Sequence, residues 1–392
     1  MSKLEELIQQ LCPDGVECRN LEECCNILDK KRKPVTKAAR EAGEYRYYGA
    51  NGIQDYVSDY IFDGTFVLVG EDGSVITKAG TPVVTWAEGK IWVNNHAHII
   101  EEKTGVLLRY LFHYIQTIDV TSLIHGNIPK LTGGDFKTLK ISIPPLEIQR
   151  EIVRILDNFT ELTAELTAEL TARKKQYEFY RNQMMSFNCS VPIKRIGEIT
   201  NVFSAARVHK NEWTSEGVPF YRSSDVISLF NGVPNSRGKA FISYELYNKL
   251  SKKSGIIKKG DVLVTGGGTI GIPFVVPTDD PIYVKDADLI CIQRSDAFES
   301  KYLYHYFLTT KFKDYLSNIT HNATIAHYTI SQILDTPIPL PSLEEQRRIV
   351  SILDRFDALC NNLTSGLPAE IEARQKQYEY YRDKLLTFKP LA

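Results

Sequence analysis

No stretch of this 392-residue chain stays apolar for the roughly 18–20 residues that a membrane-spanning helix requires. Its opening, Met1-Ser-Lys-Leu-Glu-Glu-Leu-Ile, is charged and amphipathic where a signal peptide would be apolar, so a cytoplasmic location is expected. The seven cysteines form no pair of Cys-x-x-Cys hooks, which favours reduced thiols over disulfides or zinc. Adjacent Cys24 and Cys25 should pack rather than bridge, because a vicinal disulfide strains the backbone. Formal net charge is −1, so no overall positive excess marks a polyanion binder. A nucleic-acid binder with this total has to gather its cations locally, as Lys30-Lys-Arg-Lys33 with Lys37 and Arg40 does. Catalytic signatures are missing too. There is no Asp/Asn-Pro-Pro-Tyr/Phe methyl-transfer motif, no Walker lysine loop and no Gly-x-Ser-x-Gly elbow. His96-x-His98 would place two imidazoles on one strand face, but no third ligand follows and the second half reads Asp286-Ala-Asp288, so no metal is expected.

What is present is a text written twice. Ile143-Pro-Pro-Leu-Glu-Ile-Gln-Arg-Glu-Ile-Val-Arg-Ile-Leu-Asp-Asn-Phe159 returns, 197 residues on, as Leu340-Pro-Ser-Leu-Glu-Glu-Gln-Arg-Arg-Ile-Val-Ser-Ile-Leu-Asp-Arg-Phe356. Arg173-Lys-Lys-Gln-Tyr-Glu-Phe-Tyr-Arg181 returns as Arg374-Gln-Lys-Gln-Tyr-Glu-Tyr-Tyr-Arg382, 201 residues on. Such spacing predicts two similar mixed domains held apart by two similar helical rods, with a built-in two-fold.

The repeat divides the chain into an N-terminal helix (1–12), a first domain (13–145), a central helical spacer (146–189), a second domain (190–340) and a C-terminal helical spacer (341–392). In the first domain, residues 64–69, 81–85, 91–93 and 97–100 read as strands and 107–117 as an apolar helix. The central spacer carries apolar residues at three- and four-residue steps with no Gly or Pro. Ser365-Gly-Leu-Pro368 should kink or break the second spacer. Cys12-Pro-Asp-Gly-Val16 aligns with Phe187-Asn-Cys-Ser-Val191, so residues 1–12 read as the tail of a rod and the chain ends should meet.

Gly266-Gly-Gly-Thr-Ile-Gly271 fits a dinucleotide fingerprint, but that chemistry needs a helix next. Ile272-Pro-Phe-Val-Val-Pro277 follows instead, so a tight glycine turn is the better reading. In the first domain the matching turn, Gly70-Glu-Asp-Gly-Ser74, carries two carboxylates that turn formation explains. Three Glu-Leu-Thr-Ala tetrads occupy 161–172. Each adds about 6 Å of helical rise and about 40° of rotation beyond a full turn. One base pair advances duplex DNA by about 3.4 Å and turns it by about 34–36°, so the tetrads have the geometry of a ruler.

The motifs at 145–157, 342–354, 173–181 and 374–382, with the tetrads, resemble the specificity subunit of Type I restriction–modification systems. So do the turns Leu68-Val-Gly-Glu-Asp-Gly-Ser74 and Leu263-Val-Thr-Gly-Gly-Gly-Thr-Ile-Gly271. The likeness covers essentially the whole chain. It implies an α+β architecture: two mixed α/β target-recognition domains in a pseudo-two-fold arrangement, separated by two long antiparallel, coiled-coil-like helices. Each domain would bind half of a split sequence in double-stranded DNA. The helices would dock two methyltransferase (modification) subunits, and restriction/translocase subunits would join the full complex. No cofactor is expected in this chain; S-adenosylmethionine and ATP with Mg would sit on the partners.

Candidate DNA-contacting residues in the first domain are Lys31, Arg32, Lys33, Lys37, Asn51, Ser74, Lys78, His125, Asn127 and Lys130. In the second they are Arg207, Lys210, Arg222, Ser223, Arg237, Thr269, His321, Asn322, Thr324 and His327. Lys and Arg would mostly grip phosphates, whereas Asn, Ser and some Arg would reach base edges. Spacer and partner-docking candidates are Leu162, Leu166, Leu170, Gln149, Arg150, Gln346, Arg347, Tyr177 and Tyr378. Two other classes stay open: a DNA methyltransferase or type II-like enzyme carrying its own target domains, and a helical scaffold for protein partners. Methyl transfer by the chain alone separates off the first, and DNA binding the second.

Overall fold

Thirty-nine residues, Leu146–Met184, form one unbroken helix, as the periodicity of the central spacer predicts. The protein is described from a computed structural model covering residues 3–73, 75–187, 190–231, 240–320, 327–362 and 364–391. Helices and strands mix throughout. No helix among the described residues is long and apolar enough to cross a membrane. Contacts gather into two units: Met1–Ala164 with Ala373–Ala392, and Glu165–Glu372. The unit limits fall inside the helices Leu146–Met184 and Leu367–Leu385, so each of these helices is shared. Ile148, Ile152 and Leu156 are buried in the first unit's core, whereas Leu170, Tyr177 and Met185 pack into the second's.

In the first unit a six-stranded sheet runs Asn26–Ile27, Ala97–Glu101, Phe62–Gly70, Val84–Val93, Ala42–Gly49, Gly52–Val57. The expected strands at 81–85 and 91–93 are one, Val84–Val93. The Glu88-Gly-Lys90 segment between them stays paired, with Gly89 opposite Gly64. The apolar helix Leu108–Ile115 buries Leu108, Tyr110, Leu111 and Ile115. Cys24 and Cys25 pack as free thiols, hydrogen-bonded to Asn20 O and Leu21 O at 3.2 Å. Burial pushes their pKa values up to about 11 and about 12. The second unit holds two four-stranded sheets. One runs Val202–Ser204, Leu289–Ile292, Val262–Thr265, Pro273–Val275; the other runs Trp213–Thr214, Ala240–Ile242, Val218–Tyr221, Tyr283–Val284. Its apolar helix is Ser300–Phe307.

The repeated motifs perform the same mechanical tasks in both units. Gln149 donates to Pro144 O (2.8 Å) and Gly105 O (3.2 Å) and accepts from Leu107 N (2.9 Å). Gln346 donates to Pro341 O (2.9 Å) and Ala297 O (3.3 Å) and accepts from Glu299 N (2.9 Å). Each fully buried glutamine thus clamps the start of a long helix to the start of the apolar helix.

The apolar helices each bury one histidine. His113 Nε2 meets Asp157 Oδ1 at 2.9 Å and its Nδ1 meets the Tyr378 hydroxyl at 2.8 Å. His305 Nε2 meets Asp354 Oδ1 at 2.8 Å and its Nδ1 meets the Tyr177 hydroxyl at 3.1 Å. In each case the aspartate comes from the Ile-Leu-Asp motif next to the domain, and the tyrosine from the Lys-Gln-Tyr motif of the other repeat.

The chain ends close the first unit as expected. Val16 N donates to Lys389 O (2.8 Å), Leu391 N donates to Val16 O (2.9 Å), and Lys3 pairs with Glu151 at 2.9 Å. The second spacer breaks where Gly366 and Pro368 predict, into Leu343–Asn361 and Leu367–Leu385. A Cβ on Gly366 would lie 2.6 Å from Ala358 O, so only glycine fits.

Two predictions follow from this packing. Gln149→Ala or Gln346→Ala removes three side-chain hydrogen bonds to backbone groups, one of them buried, and should cost about 1–3 kcal/mol, read by urea denaturation; an unchanged midpoint would show that the clamp carries no load. The second concerns pH. Burial lowers both histidine pKa values from the ordinary 6.5 against the opposing pull of the aspartates. Burial alone would raise Asp157 and Asp354, but the histidines, with Arg109 and Lys301, hold both below the usual carboxylate range. The unfolded chain therefore takes up protons first as pH falls. The histidine contribution is complete above about 6.5 and is lost as pH drops below it; the aspartate contribution is lost further down. Urea midpoints should fall between about pH 7.5 and 5.5, and His113→Gln with His305→Gln should flatten that slope.

Candidate functional site

In the first unit five segments converge where the central strand Phe62–Gly70 ends. Glu71 N donates to His96 O (2.9 Å), Gly73 N to Pro129 O (2.9 Å) and Leu131 N to Glu71 O (2.8 Å). Lys33 N reaches Val93 O at 3.3 Å. Gly70 lies so close to the Asn51 hairpin that a Cβ would sit 3.0 Å from Ala50 O. Lys31, Lys33, Asn51, His125, Asn127 and Lys130 are exposed around this cluster. Ile128, 69% exposed, stands at the tip of the same loop. Ser74 lies outside the described residues.

Arg32 belongs to the cluster but is not free. Its guanidinium meets Glu71 at 2.6 Å, Asp29 at 3.5 Å and Ala97 O at 2.6 Å. His98 is buried, not paired with His96 on one face: its Nδ1 meets Asp29 at 2.6 Å and its Nε2 meets Leu131 O at 3.1 Å. His96, half-exposed, instead pairs with Asp72. Asp29, Glu71 and His98 are near enough to hold a cation. Arg32 already supplies the positive charge there, and both nitrogens of His98 are engaged, so these residues do not fit a metal ion. Lys130 adds a 3.2 Å contact to Glu71. Two candidates lie apart from the cluster. Lys37 sits in the short turn Lys37–Ala39, next to the pairing of Arg40 with Asp55. Lys78 sits in a turn closed by Thr77 and Thr81, beside Val120, whose N donates to Gly80 O.

The second unit builds the same frame with other side chains. Gly266 N donates to Asp288 O (2.8 Å), and Tyr328 N donates to Gly266 O (2.9 Å). These bonds match those of Glu71 N and Leu131 N. They make Asp288 the counterpart of His96 and Leu289 that of Ala97, so His98 answers to Ile290 rather than Asp288. The glycine turn closes a hairpin, Thr265 N to Ile272 O (3.1 Å), and no helix follows it, as its prolines predict. Thr269 is exposed on this turn, and His327 is bridged to Gly267. Ser223 donates to Asp288 O at 2.7 Å, tying the helix Ser223–Phe230 to the cluster. Arg222 is committed to Asp225 at 2.9 Å. Arg207 and Lys210 are exposed in the 205–212 segment, and among the described residues no bond ties them to the turn. Arg237, His321, Asn322 and Thr324 lie outside the described residues. Lys285, paired with Asp288 at 2.5 Å, is a cation that the sequence reading missed; no motif marks it, and only the fold brings it to the turn.

The helix candidates divide in two. Gln149, Gln346, Tyr177 and Tyr378, among the spacer and partner-docking candidates, are buried within their own units, where their polar ends satisfy backbone and imidazole groups. Arg150 is exposed, and Arg347 is exposed while paired with Glu299 at 2.7 Å. Leu162 is 45% exposed, whereas Leu166 and Leu170 are half-buried, Leu170 against the second core.

Arg32→Met strands two acids, Asp29 and Glu71, beside a buried imidazole. It should destabilise the first unit by about 2–4 kcal/mol in urea titration. A merely phosphate-gripping arginine would leave stability unchanged.

Residues 13–173 and 190–373 each match the Type I restriction modification DNA specificity domain. A putative type I restriction enzyme specificity subunit of Haemophilus influenzae is 38% identical over 98% of this chain and 98% of its own length. A type I restriction enzyme specificity subunit of Escherichia coli is 33% identical over 72% of this chain and 71% of its own. In fold, the chain is similar to the S subunit of a type I restriction–modification system from M. genitalium. The TM-score is 0.56 at 15% identity, covering 94% of this chain and 96% of that one. The duplicated frame, the doubled sequence match and these relatives together show that the chain belongs to the type I restriction–modification DNA specificity family, as a specificity subunit with two target-recognition domains.

Proposed function

We propose that each unit reads one half of a bipartite target in double-stranded DNA through its turn-centred loop cluster, and that the tetrad helix sets the gap. The observation that carries this is the shared frame with unlike side chains. The backbone bonds of Glu71 and Leu131 recur at Gly266 and Tyr328, while the exposed groups change from Lys33, Asn51, Asn127 and Lys130 to Thr269 and His327, with half-buried Lys285 beside them. One scaffold with two chemistries is suited to two different half-sites. Exposed lysines supply phosphate contacts that position the protein without choosing a sequence.

In this reading the chain is a non-catalytic recognition subunit. Two methyltransferase subunits dock on its helices and contribute S-adenosylmethionine chemistry, and restriction/translocase subunits bring ATP and Mg. The chain holds no cofactor of its own and works in the cytoplasm. The absence of a methyl-transfer motif from the sequence supports this division of labour.

Methylome sequencing of cells expressing the chain with its methyltransferase should reveal one bipartite motif. Deleting Glu165–Ala168 should shorten the gap by about one base pair and leave both half-sites unchanged. Altered half-sites would contradict the ruler, and methylation by the purified chain alone would contradict the recognition-only role.

A further inference from the structure

We propose that a groove in the second unit, beside the Lys-Gln-Tyr motif, is a socket for a carboxylate carried on an apolar segment of a protein partner, with Arg181 receiving it. This rests on the reading of the helices as docking elements.

Arg181 is only 8% exposed, yet its Nε has no hydrogen-bond partner among the described residues. No acid there pairs with it; its guanidinium lies over the Tyr177 ring, 4.8 Å from the centroid. A buried cation with an unmet donor is costly unless an anion completes it. The other repeat shows what completes it. Arg382 lies over the Tyr378 ring in the same way, at 5.6 Å, but its Nε and Nη2 reach the Asp383 carboxylate at 2.9 and 2.7 Å. The residue after Arg181 is Asn182. It accepts from Thr310 N (2.9 Å) and donates to Thr310 Oγ1 (3.0 Å), holding the start of the helix Thr310–Thr320. The first unit's apolar helix is followed by no counterpart of that helix. The exchange of acid for amide thus anchors a helix and leaves Arg181 without its anion.

Arg181 lines a groove of about 930 Å³. The two acids on its wall are engaged: Asp354 by His305 (2.8 Å) and Lys301 (3.6 Å), Asp357 by Tyr177 (3.3 Å) and Asn361 (2.9 Å). Lys174 and Lys313 add positive charge. The remaining wall is largely apolar, with Leu229, Phe230, Phe274 and Leu308. A free inorganic anion would leave that wall in water, and a nucleic-acid backbone offers nothing apolar to cover it. An acidic group on an apolar peptide segment matches both features.

Association of the full-length chain with its methyltransferase subunit, followed by sedimentation over a salt series, tests this. Asn182→Asp supplies Arg181 with the acid that Asp383 gives Arg382, and its carboxylate still accepts from Thr310 N. It should weaken association by about tenfold or more and flatten the salt dependence. Arg181→Met, checked for a native melting profile, should weaken it similarly. Asp383→Asn should not weaken it. Wild-type affinity in both Asn182→Asp and Arg181→Met would overturn the socket. So would intact association with reduced DNA affinity, which would assign Arg181 to a phosphate. Failure of the wild-type chain to associate at all would overturn the docking reading, and the socket with it.

Discussion

Two buried imidazoles set the terms for the rest of this structure. A neutral histidine inside an apolar helix face needs a partner for each nitrogen. Here those partners come from opposite ends of different motifs. His113 takes Asp157 from nearby and Tyr378 from 265 residues away. His305 takes Asp354 and, from 128 residues back, Tyr177. The second unit is one continuous stretch, Glu165–Glu372, whereas the first is completed only by Ala373–Ala392. From that tail the first unit takes Tyr378 and the strand-like contacts of Val16 with Lys389 and Leu391. Contacts this distant in sequence cost loop-closure entropy, and burial of Tyr378, Leu385, Leu386 and Phe388 against the first core offsets it together with the buried polar pairs.

The same logic separates what the two units share from what they do not. Shared features are buried and mechanical: Gln149 with Gln346, Asp157 with Asp354, Tyr110 and Tyr302 each donating at 2.7 Å to a backbone carbonyl of the strand before a long helix. Features that differ lie on the rim. Glu71 and Asp72 become glycines, and an extra helix follows Phe307. Packing tolerates such exchange because the frame bonds are backbone to backbone and ask nothing of the side chains. A recognition protein gains from that arrangement, since its readers can change while its skeleton stays constant. The exchange of Asp383 for Asn182, like that of buried His98 for Ile290, is a place where a difference reaches inward.

The fold was legible where it repeats. The long helix, the break at Gly366, the meeting ends and the glycine hairpin follow from helical periodicity, proline placement and internal alignment. The strand Val84–Val93 was misread because Gly89 looks like a turn, yet faces Gly64 across the ladder. Recurrence marks Gln149 and Tyr177 as spacer or docking residues without showing which way they face; the fold turns their polar ends inward. The rim was legible only in part. The basic run at 30–33 signalled itself, but Arg32 proved to neutralise Glu71, and no local pattern could reveal Lys285 beside Asp288. Such pairs are made by tertiary approach, which leaves no spacing to read.

The central claim is that residues 373–392 complete the first unit by packing against its N-terminal segment. The direct measurement is a circular permutant, with Ala392 joined to Met1 by a short flexible linker and new ends placed between residues 187 and 190. Its DNA target, read by methylome sequencing beside the methyltransferase, should be the same two half-sites at the same gap, with an unchanged unfolding midpoint. A permutant that folds but reads a different gap or a single half-site would contradict the account.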